Sequence, residues 1–229
     1  MNPNYNINKN GLLFKIPKNK KLNKTILNKN NYEYIDESVK LDVPYNFINV
    51  VNSIELFKLT NSFKDDVYKG IKNFGFYGIH SNKIFETILA LSSSLSYNCN
   101  NISVLIVASN VHNFFEKNYS HLISKGTLGW LNTYDWGPLT FVDFDDLSVA
   151  KNKSKNDFIY LIMDFEVSFW EISLLSKNVN IDLEIIKIIE TVSFVFDVKK
   201  TKFKEIENLE KYFLDLGKKT KSILKDGEY

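Results

Sequence analysis

Cysteine, proline, glycine and long apolar runs are all scarce in this chain. Cys99 is the only cysteine, so no intrachain disulfide can form. One cysteine and three histidines (His80, His112 and His121) at no ligand spacing argue against a zinc site. The longest apolar runs, such as Ser103–Ala108 and Phe158–Met163, fall far short of the roughly 20 residues that span a bilayer. The opening Met-Asn-Pro-Asn-Tyr lacks the long apolar stretch of a signal peptide. A reducing, cytoplasmic location is therefore expected, with any membrane contact peripheral or made through another protein. Net charge is also small, +2, which argues against a nucleic-acid partner for the chain as a whole.

What is present is ordinary globular material. Hydrophobic residues make up 44% and charged residues 24% of 229, enough for a full core in one large domain or one domain with an appendage. The abundance of Asn, Lys and Ile fits an AT-rich genome, which lowers the weight of any basic-patch argument. Residues 1–32 still stand out, with seven lysines (Lys9, Lys15, Lys18, Lys20, Lys21, Lys24, Lys29) and no acid.

The chain divides into an extended Lys/Asn-rich arm, residues 1–45, and an α/β domain, residues 46–229. In the arm, Leu12, Leu13, Phe14 and Ile16 form one small apolar spot. A helical pattern begins near Pro44 and runs through Phe47, Val50, Val51, Ile54, Phe57 and Leu59. Phe74–Ile79 reads as a strand, and Ile84, Phe85, Ile88, Leu89 and Leu95 as the helix after it, with Ser81 or Asn82 as N-cap. Ser103–Ala108, Phe158–Met163 and Thr191–Phe196 read as strands buried on both faces. Thr201 to Leu216 reads as an amphipathic helix closed by Gly217, and Ser222–Leu224 as a short last strand. The stretch 110–157, broken by Gly126, Gly129, Gly137 and Pro138, is expected to carry loops and short helices. Buried strands alternating with helices predict a mainly parallel sheet flanked by helices.

Ligands of open parallel sheets bind at the carboxyl ends of strands, which singles out the positions after Ile79, Ala108 and Met163. Phe76–Leu91, Ser103–Asn110, Gly126–Leu131, Asp157–Asp164 and Val192–Leu216, taken in order, resemble the bacterial tyrosine kinases of capsule and exopolysaccharide systems. Those kinases share a P-loop fold with the Min/Par-type ATPases. The resemblance covers roughly residues 45–225 and rests on order and pattern. It implies a phosphate loop at Gly78, His80, Ser81, Asn82 and Lys83, an Asp-x-Asp motif at the second strand end, a metal-site aspartate at Asp164, and the family's late threonine at Thr201.

The motifs depart from that pattern. A phosphate loop needs glycines, a lysine and a hydroxyl for Mg²⁺. Counted from Gly78, Lys83 stands at the second glycine, Ile84 at the lysine and Phe85 at the hydroxyl. Val107 and Ser109 replace the two acids of the second motif. Only Asp164 is retained, and Tyr229 stands alone where the family has a tyrosine cluster. The expectation is a degenerate P-loop domain with no catalytic residue, no cofactor and no metal. It would act as a scaffold or regulator of a membrane-associated apparatus, in cell-surface polysaccharide synthesis or export by resemblance. The alternatives are a divergent enzyme holding ATP and Mg²⁺ through Lys83 and Asp164, and a Min/Par-type localisation adaptor for a pilus or secretion system. Expected partners are proteins: the chain itself, or an inner-membrane polysaccharide or secretion component. Trp130, Tyr134 and Trp136 are candidate anchors of an interface within residues 110–140, weighed evenly against a place in the core. Phe165, Phe169 and Trp170 are expected in the core of a helix. The basic runs Lys199–Lys204 and Lys218–Lys225 and the acids Asp143, Asp145 and Asp146 read as solvated surface.

Overall fold

The computed structural model describes residues 14–16, 54–79, 84–118, 123–150, 155–172, 179–197 and 200–225. Of the arm, only Phe14–Ile16 is among them. In chain order the elements are β1 (Phe14–Ile16), α1 (Ile54–Tyr68), β2 (Asn73–Ile79), α2 (Ile84–Asn98), β3 (Val104–Ala108), α3 (Val111–Asn118), β4 (Ser124–Leu128), β5 (Leu131–Trp136) and β6 (Leu139–Asp143). A 3-10 turn (Phe144–Ala150) leads to α4 (Lys155–Ile162), β7 (Val167–Ile172), α5 (Val179–Ile188), β8 (Thr191–Asp197), α6 (Phe203–Asp215) and β9 (Lys219–Lys225).

The strands form one nine-stranded sheet in the order β1-β9-β8-β2-β7-β3-β6-β5-β4. Every strand but β5 points the same way, as the parallel pairs and the two antiparallel hairpins require. Side chains alternate across this sheet. On β3, Val104, Ile106 and Ala108 enter one core, and Leu105 and Val107 the other. The first core lies under α1, α2 and α3, the second under α4, α5 and α6. Burial on both faces explains why β3 reads as an unbroken apolar run. In the first core, Phe63, Phe74, Phe76 and Phe169 pack ring on ring at 5.0–5.9 Å. Lys221 of β9 is drawn into the same layer. It pairs with Asp66 at 2.7 Å, donates to Ser62 Oγ at 2.8 Å and lies over the Phe63 ring. Burial holds its ammonium below the usual lysine range, against the pull of Asp66.

Several expectations change. Phe158–Met163 is the body of α4 and its following turn, not a strand. Leu161 packs inward while Tyr160 and Met163 are exposed. Phe169 and Trp170 belong to β7, not to a helix, and Phe165 lies in the bend before it. Residues 124–143 hold three strands instead of loops. The turns between them, Gly129–Trp130 and Gly137–Pro138, each place a glycine at positive φ (59° and 57°) in the first turn position. That is the II′ hairpin arrangement, which a side chain at that position would strain. The first helix is described from Ile54, so its predicted start near Pro44 lies outside the described residues. No helix among the described residues is long and apolar enough to cross a membrane.

Candidate functional site

The parallel strands bring their carboxyl ends to one rim of the sheet, where ligands of open α/β folds sit. Four described strand ends meet at its centre: β2, β7, β3 and β6.

At the β2 end, Gly78 is half-buried within the strand, opposite Val195 of β8. His80, Ser81, Asn82 and Lys83 lie outside the described residues. The two positions after them are resolved as packing groups. Ile84 and Phe85 begin α2 and rest against the first core. The Phe85 ring meets Phe114 at 5.0 Å and Phe141 at 6.4 Å. The position that would carry a magnesium-binding hydroxyl thus holds a benzene ring turned towards α3 and β6.

At the β3 end the chain turns sharply into α3. Asn110 takes a left-handed backbone (φ 61°), a conformation that Asn tolerates better than most residues. Such a strand-to-helix turn presents unpaired N–H groups to any anion. Here internal carboxylates receive two of them. Glu171, near the end of β7, accepts the Ser109 N–H at 2.7 Å. Asp143, the last residue of β6, accepts the His112 N–H at 2.8 Å and the Asp145 N–H at 3.0 Å. Burial pushes the Glu171 carboxyl above its ordinary value. The Ser109 hydrogen bonds oppose that shift, and the neighbouring charge of Asp143 adds to it. The geometry is that of a loop that has closed around its own anions.

Beside it, His112 Nδ1 shares a short hydrogen bond with the Tyr134 hydroxyl, whose ring stacks on Phe115. Burial raises the Tyr134 phenol above its usual range. Lys125 reaches over the Tyr134 ring and pairs with Glu116 of α3 at 2.5 Å. On the far side of β2, the Thr201 hydroxyl reaches the Ile79 carbonyl at 3.4 Å, joining the β8–α6 turn to the β2 end.

Among the described residues, the predicted site positions Gly78 and Asp164 stand towards opposite ends of the parallel strands. Asp164 is exposed in the turn after α4, before β7 begins, so it is not at a strand's carboxyl end. Phe165, expected in the core of a helix, is likewise on the amino side of β7. Tyr134 and Trp136 are core residues, at 6% and 2% exposure, and Trp130 is half-buried beside the second core. Truncating Trp136 would open a core cavity worth about 3–5 kcal/mol, so it cannot report on an interface. Asp143, read as a solvated loop acid, is buried and capping. Glu171 was missed altogether, because the strand had been placed at Phe158–Met163. The missed signal is Val167-Ser-Phe-Trp-Glu-Ile172, a β-branched and aromatic run with one acid near its end.

The described groups do not fit a magnesium nucleotide. The hydroxyl position is Phe85, the β3 loop donors already hold carboxylates, and the chain contains no arginine to fork onto a phosphate. No group of three or more His, Cys, Asp or Glu side chains among the described residues is placed to hold a metal ion.

No protein-family model and no curated protein matches the sequence. Solved structures do match in shape, and they show the class of fold: a mainly parallel α/β sheet flanked by helices, as found in tyrosine kinase domains. The chimerical protein CapA2B2 matches with a TM-score of 0.53 at 11% identity, over 78% of this chain and 87% of that one. The BceF tyrosine kinase domain matches at 0.52 and 11% identity, over 75% of this chain and 76% of that one. The kinase domain of the Escherichia coli tyrosine kinase ETK matches at 0.51 and 11%, over 76% and 74%. At this identity the likeness is one of fold.

Proposed function

We propose that this chain is a tyrosine-kinase-like domain that has given up nucleotide turnover and works as a scaffold or regulator. Its setting in this reading is a membrane-associated apparatus of cell-surface polysaccharide synthesis or export, at the inner face of the membrane. The observation that carries the reading is the closed β3–α3 turn. Two of its N–H donors are held by Glu171 and Asp143, so they are closed to phosphate, and both Asp143 oxygens that could meet Mg²⁺ are taken by the N–H groups of His112 and Asp145. Phosphate brought to such a rim without a bridging cation meets like charges in a partly desolvated place. Phe85 packed on Phe114 supports the same conclusion from the α2 side. The rival reading, a divergent ATP-binding enzyme, needed Lys83 and Asp164 at one site. Asp164 stands after α4, away from the strand ends, so that pairing loses one member.

Titration calorimetry of the full chain with Mg²⁺ and ATP tests the proposal. The expected result is no measurable heat of binding and no phosphate release. Micromolar affinity that disappears in Lys83→Ala would overturn it and restore the enzyme reading. Neighbouring genes separate the polysaccharide setting from a pilus or secretion adaptor.

A further inference from the structure

The nine-stranded sheet ends differently on its two sides. At one end β1 lies along β9 and covers Ile223–Lys225. At the other end β4 pairs with β5 alone, and no described residue pairs with its outer side. Natural edges of this kind are usually blunted by charge, proline or a bulge. β4, Ser124-Lys-Gly-Thr-Leu128, has no proline and runs in unbroken register with β5. Its one charge, Lys125, is drawn back over the sheet to Glu116 and the Tyr134 ring. Among the described residues Lys125 is the one guard this edge carries.

Its hydrogen-bonding pattern follows from the turn. In a two-residue hairpin the residues flanking the turn, Leu128 and Leu131, form a hydrogen-bonded pair. Alternation along the ladder then points the backbone groups of Ser124, Gly126 and Leu128 towards β5. Those of Lys125 and Thr127 point outward.

We infer that a second copy of this chain pairs along β4, antiparallel, about a twofold axis through Gly126. This deepens the scaffold reading and rests on it, supplying the surface through which copies assemble. In that register Lys125 of each copy faces Thr127 of the other, and the two pairs exchange about four hydrogen bonds. Gly126 faces Gly126 across the axis in a non-hydrogen-bonded pair, where Cα atoms approach to about 4.5 Å and the lack of a side chain is an advantage. Ser124 faces Leu128. The neighbouring register, centred on Lys125, sets two ammonium groups directly opposite each other, which is unfavourable. The strand is thus self-complementary in one register and guarded against the next. A contact of five residues a side is small, so the dimer is weak and concentration-dependent, suited to a scaffold that adds avidity to other contacts.

Sedimentation velocity of the full chain, from micromolar to high-micromolar loading and without nucleotide, tests the inference. The wild type is expected to shift from monomer towards dimer. Thr127→Pro removes an outward N–H without breaking the β5 ladder and should abolish the shift. Should that variant misfold, Thr127→Lys sets lysine against Lys125 and should also abolish it, and adding Lys125→Glu should restore it. A wild type that stays monomeric throughout, or a dimer indifferent to Thr127→Lys, overturns the inference. The calorimetric test of nucleotide binding is unaffected by either outcome, so the two can fail separately.

Discussion

Both rims of the sheet use carboxylates to hold backbone N–H groups, but they do so in different surroundings. At the amino rim, Glu190 accepts the Lys72 N–H at 2.9 Å, the Asn73 N–H at 3.0 Å and the Asn73 side-chain amide at 3.2 Å. Glu166 accepts the Ser103 N–H at 2.6 Å and its hydroxyl at 3.1 Å. Both acids are exposed. At the carboxyl rim, Glu171 and Asp143 perform the same task from half-buried and buried positions. A carboxylate at the amino rim only ties a loop, because no ligand is expected there in this fold. The same device at the carboxyl rim occupies donors that an anionic ligand would need. One chemical motif therefore ties loops on one rim and, on the other, occupies N–H donors at the strand ends where ligands of open α/β folds sit.

The comparison can be broken first at Glu171. Glu171→Ala leaves the Ser109 N–H without its acceptor in a half-buried site. It should cost about 1–3 kcal/mol in urea unfolding. Glu171→Gln keeps an acceptor and removes the charge, so it should cost little. It should also change the pH dependence, and the sign follows from the raised carboxyl. The folded state holds this proton more tightly than the unfolded state. Stability from this group is therefore greatest at low pH and falls as pH climbs from the ordinary glutamate value of 4.5 through the raised folded value. Melts across that window should show a downward slope in wild type that Glu171→Gln flattens. Identical slopes would mean that Glu171 is well solvated and that the two rims are alike.

A smaller effect is expected at Glu190→Ala on the amino rim. Water can replace an exposed acceptor, so the loss should be about 0.5–1.5 kcal/mol despite the three hydrogen bonds. A cost above that of Glu171→Ala would reverse the ranking. The smallest effect concerns the arm. Deleting residues 1–40 removes, among the described contacts, the three-residue pairing of β1 with β9. The melting temperature of the remainder should barely move. A large drop would make the arm part of the domain's core.

Much of the architecture was legible from residues alone. Val104–Ala108 is apolar at every step and Thr191–Phe196 is interrupted only by Thr191 and Ser193, the pattern of a strand covered on both faces. Ile206, Leu209 and Phe213 recur at helical spacing, and α6 lies where they predict. Phe158–Met163 misled because a short apolar run fits a buried strand and a packed helix equally well. The flanks decided it: Val167–Ile172 already fills the place between β2 and β3, which leaves no room for another strand there.

The sequence by itself determined the fold class and most of the strands and helices that build it, and it puts Ile84 and Phe85 where the resembling phosphate loop has its lysine and hydroxyl. Those depend on residue type and on neighbours a few positions away, where periodicity and steric preference act. Only the tertiary structure decided where Asp164, Tyr134, Trp136, Asp143 and Glu171 stand. Sixty-two residues separate Ser109 from the carboxylate that holds its N–H, and 31 separate His112 from Asp143. Hydrogen bonds of that span come into being when β3, β6 and β7 are laid side by side, and no local pattern records which strands become neighbours.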